Sequence, residues 1–372
     1  RNNGKGANGV ANNVKIMSIR AVPNGDEYDR PIIIINTLAM DQLYLLEQGQ
    51  QVLSFPGATL FSLESLLKPI KRTPHSVIGS SCLGASVVGG IANNSGGTLI
   101  KRGPAYTEMA LYAQVDENGE LQLVNHLGIE LGDTPEQMLS NLSSGNFTKD
   151  NLAPSDAQCS DREYQQRGRQ VDESSPSRFN AGPRRLFEAS GCAGKLAVFA
   201  VRLDTFAVAE QEQTFYIGTN EPLVMGKLRR DILQQYEHLP EVGEYLHRDI
   251  FDIAAKYGKD TFLSVKHLGT DRLPIFFALK RTADAMCRSL PLVPKNLSDW
   301  LLQTASRVFP QHLPKRILQY RSHYEHHLIL KMSNSGIDEA KKHLTKFFTD
   351  KITSLLLVLS TVLVVSIFIP SH

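Results

Sequence analysis

From Pro74 to Gly97 the sequence reads Pro-His-Ser-Val-Ile-Gly-Ser-Ser-Cys-Leu-Gly-Ala-Ser-Val-Val-Gly-Gly-Ile-Ala-Asn-Asn-Ser-Gly-Gly, with six glycines and five serines in twenty-four residues. Such a composition cannot form the interior of a long helix or strand. Glycine supplies positive φ and close backbone approach, while serine hydroxyls and bare N–H groups bind anionic oxygens. The ligand that suits such a loop is a pyrophosphate. No Gly-Lys-Ser/Thr follows, so it is not a Walker loop, and no GxGxxG sits between a strand and a helix. On pattern alone, a dinucleotide site and a structural cluster of loops stand equal.

A second group of reactive residues lies at Tyr324-Glu-His-His-Leu328. On a strand, neighbours face opposite sides, so at most one of His326 and His327 looks into a site. A structural role is the simpler reading for each. His323, Glu325 and His327 alternate as a one-faced metal set would, yet no metal site is expected. Arg102, beside the glycine-rich loop, is a candidate charge near a cofactor and equally a salt-bridge partner. Cys82, Cys159, Cys192 and Cys287 are far apart, without CxxC, and suit neither a disulfide framework nor a zinc site.

The elements that must hold these residues follow from periodicity. Residues 31–36 and 51–56 read as strands, and Thr59 opens an amphipathic helix through Leu60, Leu63, Leu66 and Leu67 to Pro69. Residues 106–115 and 120–125 read as a hairpin around Asp116–Gly119. Residues 133–170 read as a surface insertion with a short helix at 135–142, and 195–204 as a closing strand. A second unit has strands at 215–218 and 326–332 and helices at 221–236 and 336–348. This predicts an α+β chain whose second, small α+β domain carries an inserted subdomain.

The whole chain has 40 Lys+Arg against 38 Asp+Glu, too balanced for a general nucleic-acid binder. The balance is uneven along the chain. Residues 266–331 hold eleven Lys/Arg and four acids, so this segment is +7 and the rest −5. Mixed with Trp300, Phe276, Phe277, Phe309 and Tyr320, that charge suits an anionic membrane surface, a plain solvated face being the other reading. No nucleic-acid motif accompanies it.

The ends differ in character. Residues 1–13 contain no apolar run of the kind a secretory signal needs. Residues 352–369 are eighteen uncharged positions, long enough as a helix (~27 Å) to cross a bilayer core. Lys341, Lys342, Lys346 and Lys351 would keep the preceding segment cytoplasmic. A membrane anchor, a buried core segment and a run foreign to the fold are the three readings.

The run Pro74–Gly97 with Lys101-Arg-Gly-Pro-Ala-Tyr-Thr-Glu108 resembles the flavin loops of vanillyl-alcohol-oxidase-like (PCMH-type) FAD enzymes. More closely, it is similar to the quinone-dependent, membrane-associated D-lactate dehydrogenases of Gram-negative bacteria. The resemblance continues through Val124-Asn-His-Leu-Gly-Ile129, Arg185-Leu-Phe-Glu188, residues 190–206, Phe215-Tyr-Ile-Gly-Thr-Asn220, His247-Arg-Asp249, residues 256–262 and Tyr324–Leu328. It covers about residues 24–348. It implies an incomplete PCMH-type FAD-binding domain over 24–206 and a cap domain over 207–246 and 324–349. Between the cap parts it implies a largely helical, basic membrane-binding insertion at 247–323. Residues 1–23 and 350–372 stand outside these domains.

The resemblance further implies FAD, with contacts falling on Gly79, Ser86, Gly96 and Val198. It implies D-lactate as substrate, ubiquinone or menaquinone as electron acceptor and anionic lipid as a partner. The location it implies is peripheral, at the cytoplasmic face of the inner membrane. It leaves the catalytic residues open, with His326, His327 and Arg102 as weak candidates. Two departures stand out. Ser18-Ile-Arg-Ala-Val22 occupies the place of a further flavin loop of the Asn-Thr-Gly-Leu-Thr type, and the apolar run follows directly after the last family-like helix. The expectation is therefore that this chain by itself holds FAD weakly or not at all. A related flavin enzyme acting on another 2-hydroxyacid such as glycolate, and a non-catalytic membrane-bound fragment, are the alternatives.

Overall fold

The computed structural model describes residues 36–75, 84–96, 98–177, 185–192, 196–257 and 313–349. It also describes short strands at Ile16–Met17, Ile33–Ile34 and Ser354–Val358 and isolated positions between 259 and 282. In chain order the strands are β1 (Ile16–Met17), β2 (Ile33–Ile34), β3 (Leu43–Leu46), β4 (Gln51–Ser54), β5 (Arg72–Thr73), β6 (Ala110–Val115) and β7 (Leu121–Asn125). They continue as β8 (Ala197–Asp204), β9 (Phe206–Ala207), β10 (Glu212–Thr219), β11 (Val242–His247), β12 (His326–Ser333) and β13 (Ser354–Val358). The helices are α1 (Leu60–Leu67), α2 (Val87–Ala92), α3 (Pro135–Ser144), α4 (Tyr164–Arg169), α5 (Pro222–Gln235), α6 (Arg248–Tyr257), α7 (Lys315–His323) and α8 (Gly336–Thr349). The expected α+β class is what the structure shows.

The first sheet is antiparallel, in the order β3-β4-β8-β6-β7. Alternation along its strands sorts two cores. Val52, Tyr112 and Val201 join Leu60, Leu63 and Leu67 of α1 and Val87, Val88 and Ile91 of α2 on one face. Leu53, Leu111 and Ala200 join Leu127, Ile129, Leu131 and Leu142 on the other. α1 begins where the Thr59 hydroxyl accepts the Ser62 N–H at 3.1 Å, a cap worth about 1 kcal/mol. The hairpin turns on Asp116, whose carboxylate accepts the N–H groups of Asn118 and Glu120. The expected helix in the insertion is α3.

The second sheet has the order β11-β12-β10-β13. Its chain order is strand, helix, strand, then strand, helix, strand, a split βαβ arrangement. Phe215, Ile217, Leu330 and Met332 bury one face under α5 and α8. Tyr216, Leu246 and Ile329 bury the other with Phe251 of α6 and Ile317 of α7. α6 leaves directly from His247, and α7 returns three residues before His326, which is paired with His247. The Arg248 N–H donates to the Glu325 carbonyl at 2.8 Å. The inserted segment thus stands where a hairpin turn would join β11 to β12. Most of residues 258–312, including Trp300 and much of the basic run, lies outside the described residues.

Of the apolar run only five residues are described, and they form a strand, which the core-segment reading allows. Residues Ser354–Val358 form β13, antiparallel to β10 with Tyr216 opposite Leu356, rather than the start of a spanning helix. The reason is topological: a split βαβ unit has a place for a fourth strand beside its first, and an uncharged, leucine-rich segment fills it. Among the described residues no helix is long and apolar enough to cross a membrane.

The two sheets dock through residues 98–101. The Ile100 N–H donates to the Glu241 carbonyl (3.1 Å), and the Gly243 N–H donates to the Thr98 carbonyl (3.2 Å). A Cβ on Gly243 would lie 2.6 Å from Ile100 Cδ1, so a side chain there would have to displace the end of Ile100. Beside it, Lys101 Nζ donates to Glu241 Oε1 at 2.5 Å, and the Ser333 hydroxyl donates to the same oxygen at 2.5 Å. Burial raises the pKa of Glu241, but the Lys101 and Ser333 hydrogen bonds outweigh it and leave the pKa below the usual range.

Candidate functional site: a glycine-rich cradle and an interdomain cleft

Ser86 ends an extended segment that bridges Thr59 and caps α2, its hydroxyl accepting the Gly89 N–H at 3.1 Å. After α2 the chain turns at Asn94, whose φ is +46° and whose side chain is buried. Gly96 follows, exposed. The Asn94 Nδ2 donates to the Arg185 carbonyl at 3.4 Å, while its Oδ1 is buried with no hydrogen-bond partner among the described residues. Residues 185–191 lie across this turn as a strap. Gly191, at φ +68°, donates its N–H to the Ile91 carbonyl (3.1 Å), and any Cβ there would collide with Asn94. The strap is held by Ser190, which bonds the Thr107 backbone, and by Arg185, which is bidentate on the buried carboxylate of Asp161.

Val198 is half-buried on β8, opposite Tyr112 beside a bulge, and packs into the same core as Val87 and Val88. Its neighbour across the sheet, Val124, does likewise. At this edge Glu188 contacts His126 Nδ1 at 2.5 Å and bonds the Tyr112 hydroxyl. Burial, then Glu188, raises the Tyr112 pKa. The structure therefore brings Ser86 and Val198 to one core face, with Gly96 at the exposed rim of the same loop; Gly79 lies outside the described residues. Asn94, Glu188 and the strap were missed as site residues. The Asn-Asn pair before Ser95-Gly96 was the available signal, since asparagine tolerates positive φ.

The weak catalytic candidates separate. Arg102 donates to the Pro74 carbonyl at 2.8 Å and lies 4.3 Å from the Phe206 ring centroid. It braces β9 and the start of the glycine-rich loop, and burial lowers its pKa. Beside it His75 is fully buried, and burial, then the Arg102 charge, holds its pKa down to about 4. His326 and His327 do face opposite sides. His327 is enclosed by Tyr216 and Phe251 under α6, and burial lowers its pKa to about 4. His326 is half-exposed, stacked on Tyr245, with its Nδ1 2.7 Å from the Tyr245 hydroxyl. Glu325 instead meets His247 Nε2 at 3.2 Å, and His323 turns its Nδ1 to the Gln319 carbonyl at 2.7 Å. His323, Glu325 and His327 are thus not assembled as a ligand set.

A cleft of about 540 Å³ opens between the two sheets' units. Thr98, Leu99 and Ile100, which follow the glycine-rich loop, line one part of it together with α4 and Pro176-Ser177; α5, β11 and β12 line the rest. Tyr245 stands at its polar side, and Arg229 of α5 also lines it.

Residues 214–360 match the family model described as D-lactate dehydrogenase, membrane binding. The matched stretch includes β13. Over 328 residues the chain is 55% identical to the quinone-dependent D-lactate dehydrogenase of Escherichia coli (strain K12), covering 88% of this chain and 57% of that protein. It is 54% identical over 330 residues to the protein of the same name from Haemophilus influenzae, covering 89% and 58%. A Corynebacterium glutamicum protein, again of that name, is 42% identical over 328 residues, covering 88% and 57%. The family model and the relatives thus point to one class, proteins named as dehydrogenases with a part described as membrane binding. The chain is similar to the quinone-dependent D-lactate dehydrogenases, and it spans a little under three-fifths of the length of the relatives it matches. Among solved structures, p-cresol methylhydroxylase aligns at 9% identity with a TM-score of 0.45 over 88% of this chain and 48% of that one. An alkyldihydroxyacetonephosphate synthase aligns at 10% with a TM-score of 0.43 over 89% and 44%.

Proposed function

We propose that this chain serves an FAD-dependent oxidation of D-lactate to pyruvate, with the electrons passed to a membrane quinone. The observation that carries the reading is the 55% identity over 88% of the chain to a protein of that name. The bound flavin would supply the two-electron acceptor for the substrate's C2 hydride. The chain's own residues then have definite tasks. Ser86 fixes the first turn of α2, Gly96 leaves the loop rim open to close approach, and Val198 gives the sheet an apolar contact for the cofactor. The buried, unpaired Oδ1 of Asn94 fits a hydroxyl or N–H donor of the same cofactor. Gly84, at φ +89° with nothing within 4 Å of a Cβ, leaves the loop room for it. Gly79 completes the set of contacts carried over from the family resemblance.

The proposed location is the cytoplasmic face of the inner membrane, with the basic insertion rooted at α6 and α7 on anionic lipid. A hybrid tests the function: residues 24–348 replace the matching segment of the Escherichia coli relative. D-lactate-dependent reduction of a quinone analogue is expected, above the rates with L-lactate or glycolate. A folded, flavin-loaded hybrid inactive on D-lactate overturns the proposal.

A further inference from the structure

We infer that the cleft between the two sheets is the site where the quinone is reduced, with Tyr245 delivering a proton to it from His326. The inference rests on the proposed lactate-to-quinone reading and locates a site for its acceptor. The cleft's volume, about 540 Å³, lies in the range of small-molecule sites (~300–1,000 Å³). Three-carbon lactate would leave most of it empty. Its walls are apolar, with Leu99, Ile100, Met225, Ile232, Leu328 and Leu330 among them. Such walls accept a substituted ring and the start of an aliphatic tail, with Arg229, Thr98, Ser177 and Tyr245 as the polar groups among them. The cleft also begins at Thr98, two residues beyond Gly96, so its occupant lies next to the cofactor cradle.

The polar side is what makes it a reduction site rather than a greasy pocket. Tyr245 lines the cleft, and its hydroxyl sits 2.7 Å from His326 Nδ1. Behind the pair, His247 lies against His326 with ring centroids 5.4 Å apart and pairs with Glu325 at 3.2 Å. These groups are half-exposed or exposed and reach solvent. Converting a quinone to a quinol takes two electrons and two protons. The electron pair would be supplied by a bound flavin under the proposed reading. One proton leaves the Tyr245 hydroxyl for a quinone carbonyl oxygen while His326 Nδ1–H donates its proton to the tyrosyl oxygen; His326 is reprotonated from water. The second proton enters from solvent at the cleft mouth.

Two variants test this in the FAD-loaded protein, with D-lactate oxidation followed in parallel by ferricyanide and by decylubiquinone. Gly226 of α5 lines the cleft, and a Cβ there meets nothing within 4 Å, so Gly226→Trp starts from open space and adds bulk at the cleft. Gly226→Trp is expected to raise the KM for decylubiquinone about tenfold or more, and Tyr245→Phe to lower its kcat about tenfold or more. In both, the ratio of quinone-coupled to ferricyanide-coupled turnover falls. An azido-quinone photolabel is expected on peptides of α5 or β11. Unchanged quinone kinetics in both variants, or label found only elsewhere, overturns the site. Absence of ferricyanide-coupled turnover with D-lactate in the unsubstituted protein overturns the underlying reading instead.

Discussion

His75 and His327 are held neutral by burial, and both carry a pKa of about 4 against an ordinary 6.5. Between those values the unfolded chain binds protons that the folded one refuses, so stability rises with pH across the window. It is fully present above about 6.5 and is lost progressively as the pH falls towards 4. Urea midpoints between pH 7 and 4.5 should fall, and His75→Phe with His327→Phe should flatten that slope. A slope unchanged in the double variant contradicts this account. Sequence alternation showed that His326 and His327 face apart, but not which one is buried. That depends on α6 and α7 arriving from far along the chain to cover one face of β12. Asn94 was likewise illegible: its burial comes from a strap some ninety residues later, which no local pattern announces.

At the scale of elements, α5 forms a wall of the cleft, and its C-terminal carbonyls depend on a residue from the other unit. Arg169 at the end of α4 donates to the carbonyls of Leu233 (3.2 Å), Tyr236 (2.6 Å) and Glu237 (3.0 Å). Charge-assisted bonds to orphan carbonyls predict a loss of about 2 kcal/mol for Arg169→Ala, read as a lowered urea midpoint. β13 gives a second test. Consecutive N–H groups on a strand alternate in direction, so Leu355→Pro with Leu356→Pro removes a ladder bond to β10 whichever way the strand lies. A loss of about 2–3 kcal/mol is expected, whereas a segment that only anchors would leave the melting of the soluble part unchanged. Helices α1, α3 and α5 were legible because each carries a cap or an N-terminal proline with a periodic apolar face, and α8 by its apolar face alone. β3 was not, because Leu-Tyr-Leu-Leu alternates nothing, and β13 was not, because an uncharged run long enough to span a bilayer conceals a strand.

At the scale of the whole molecule, the basic run of residues 266–331 follows α6 and includes α7, and these two helices root it on one face of the second sheet, while the proposed cradle and cleft lie towards the first. The two units are joined at Lys101, Glu241 and Ser333. Lys101→Met and Glu241→Gln, taken singly and together, should show a coupling of about 1–2 kcal/mol in a double-mutant cycle. Additive effects would mean that the ion pair does not join the units. The central claim, however, is chemical, and one measurement addresses it most directly. The flavin-loaded hybrid carrying residues 24–348 is mixed anaerobically with D-lactate and then with a quinone analogue. The account predicts that the oxidised-flavin band bleaches with D-lactate, stays with L-lactate, and returns when the quinone is added. A bound flavin that remains oxidised in the presence of D-lactate would contradict it.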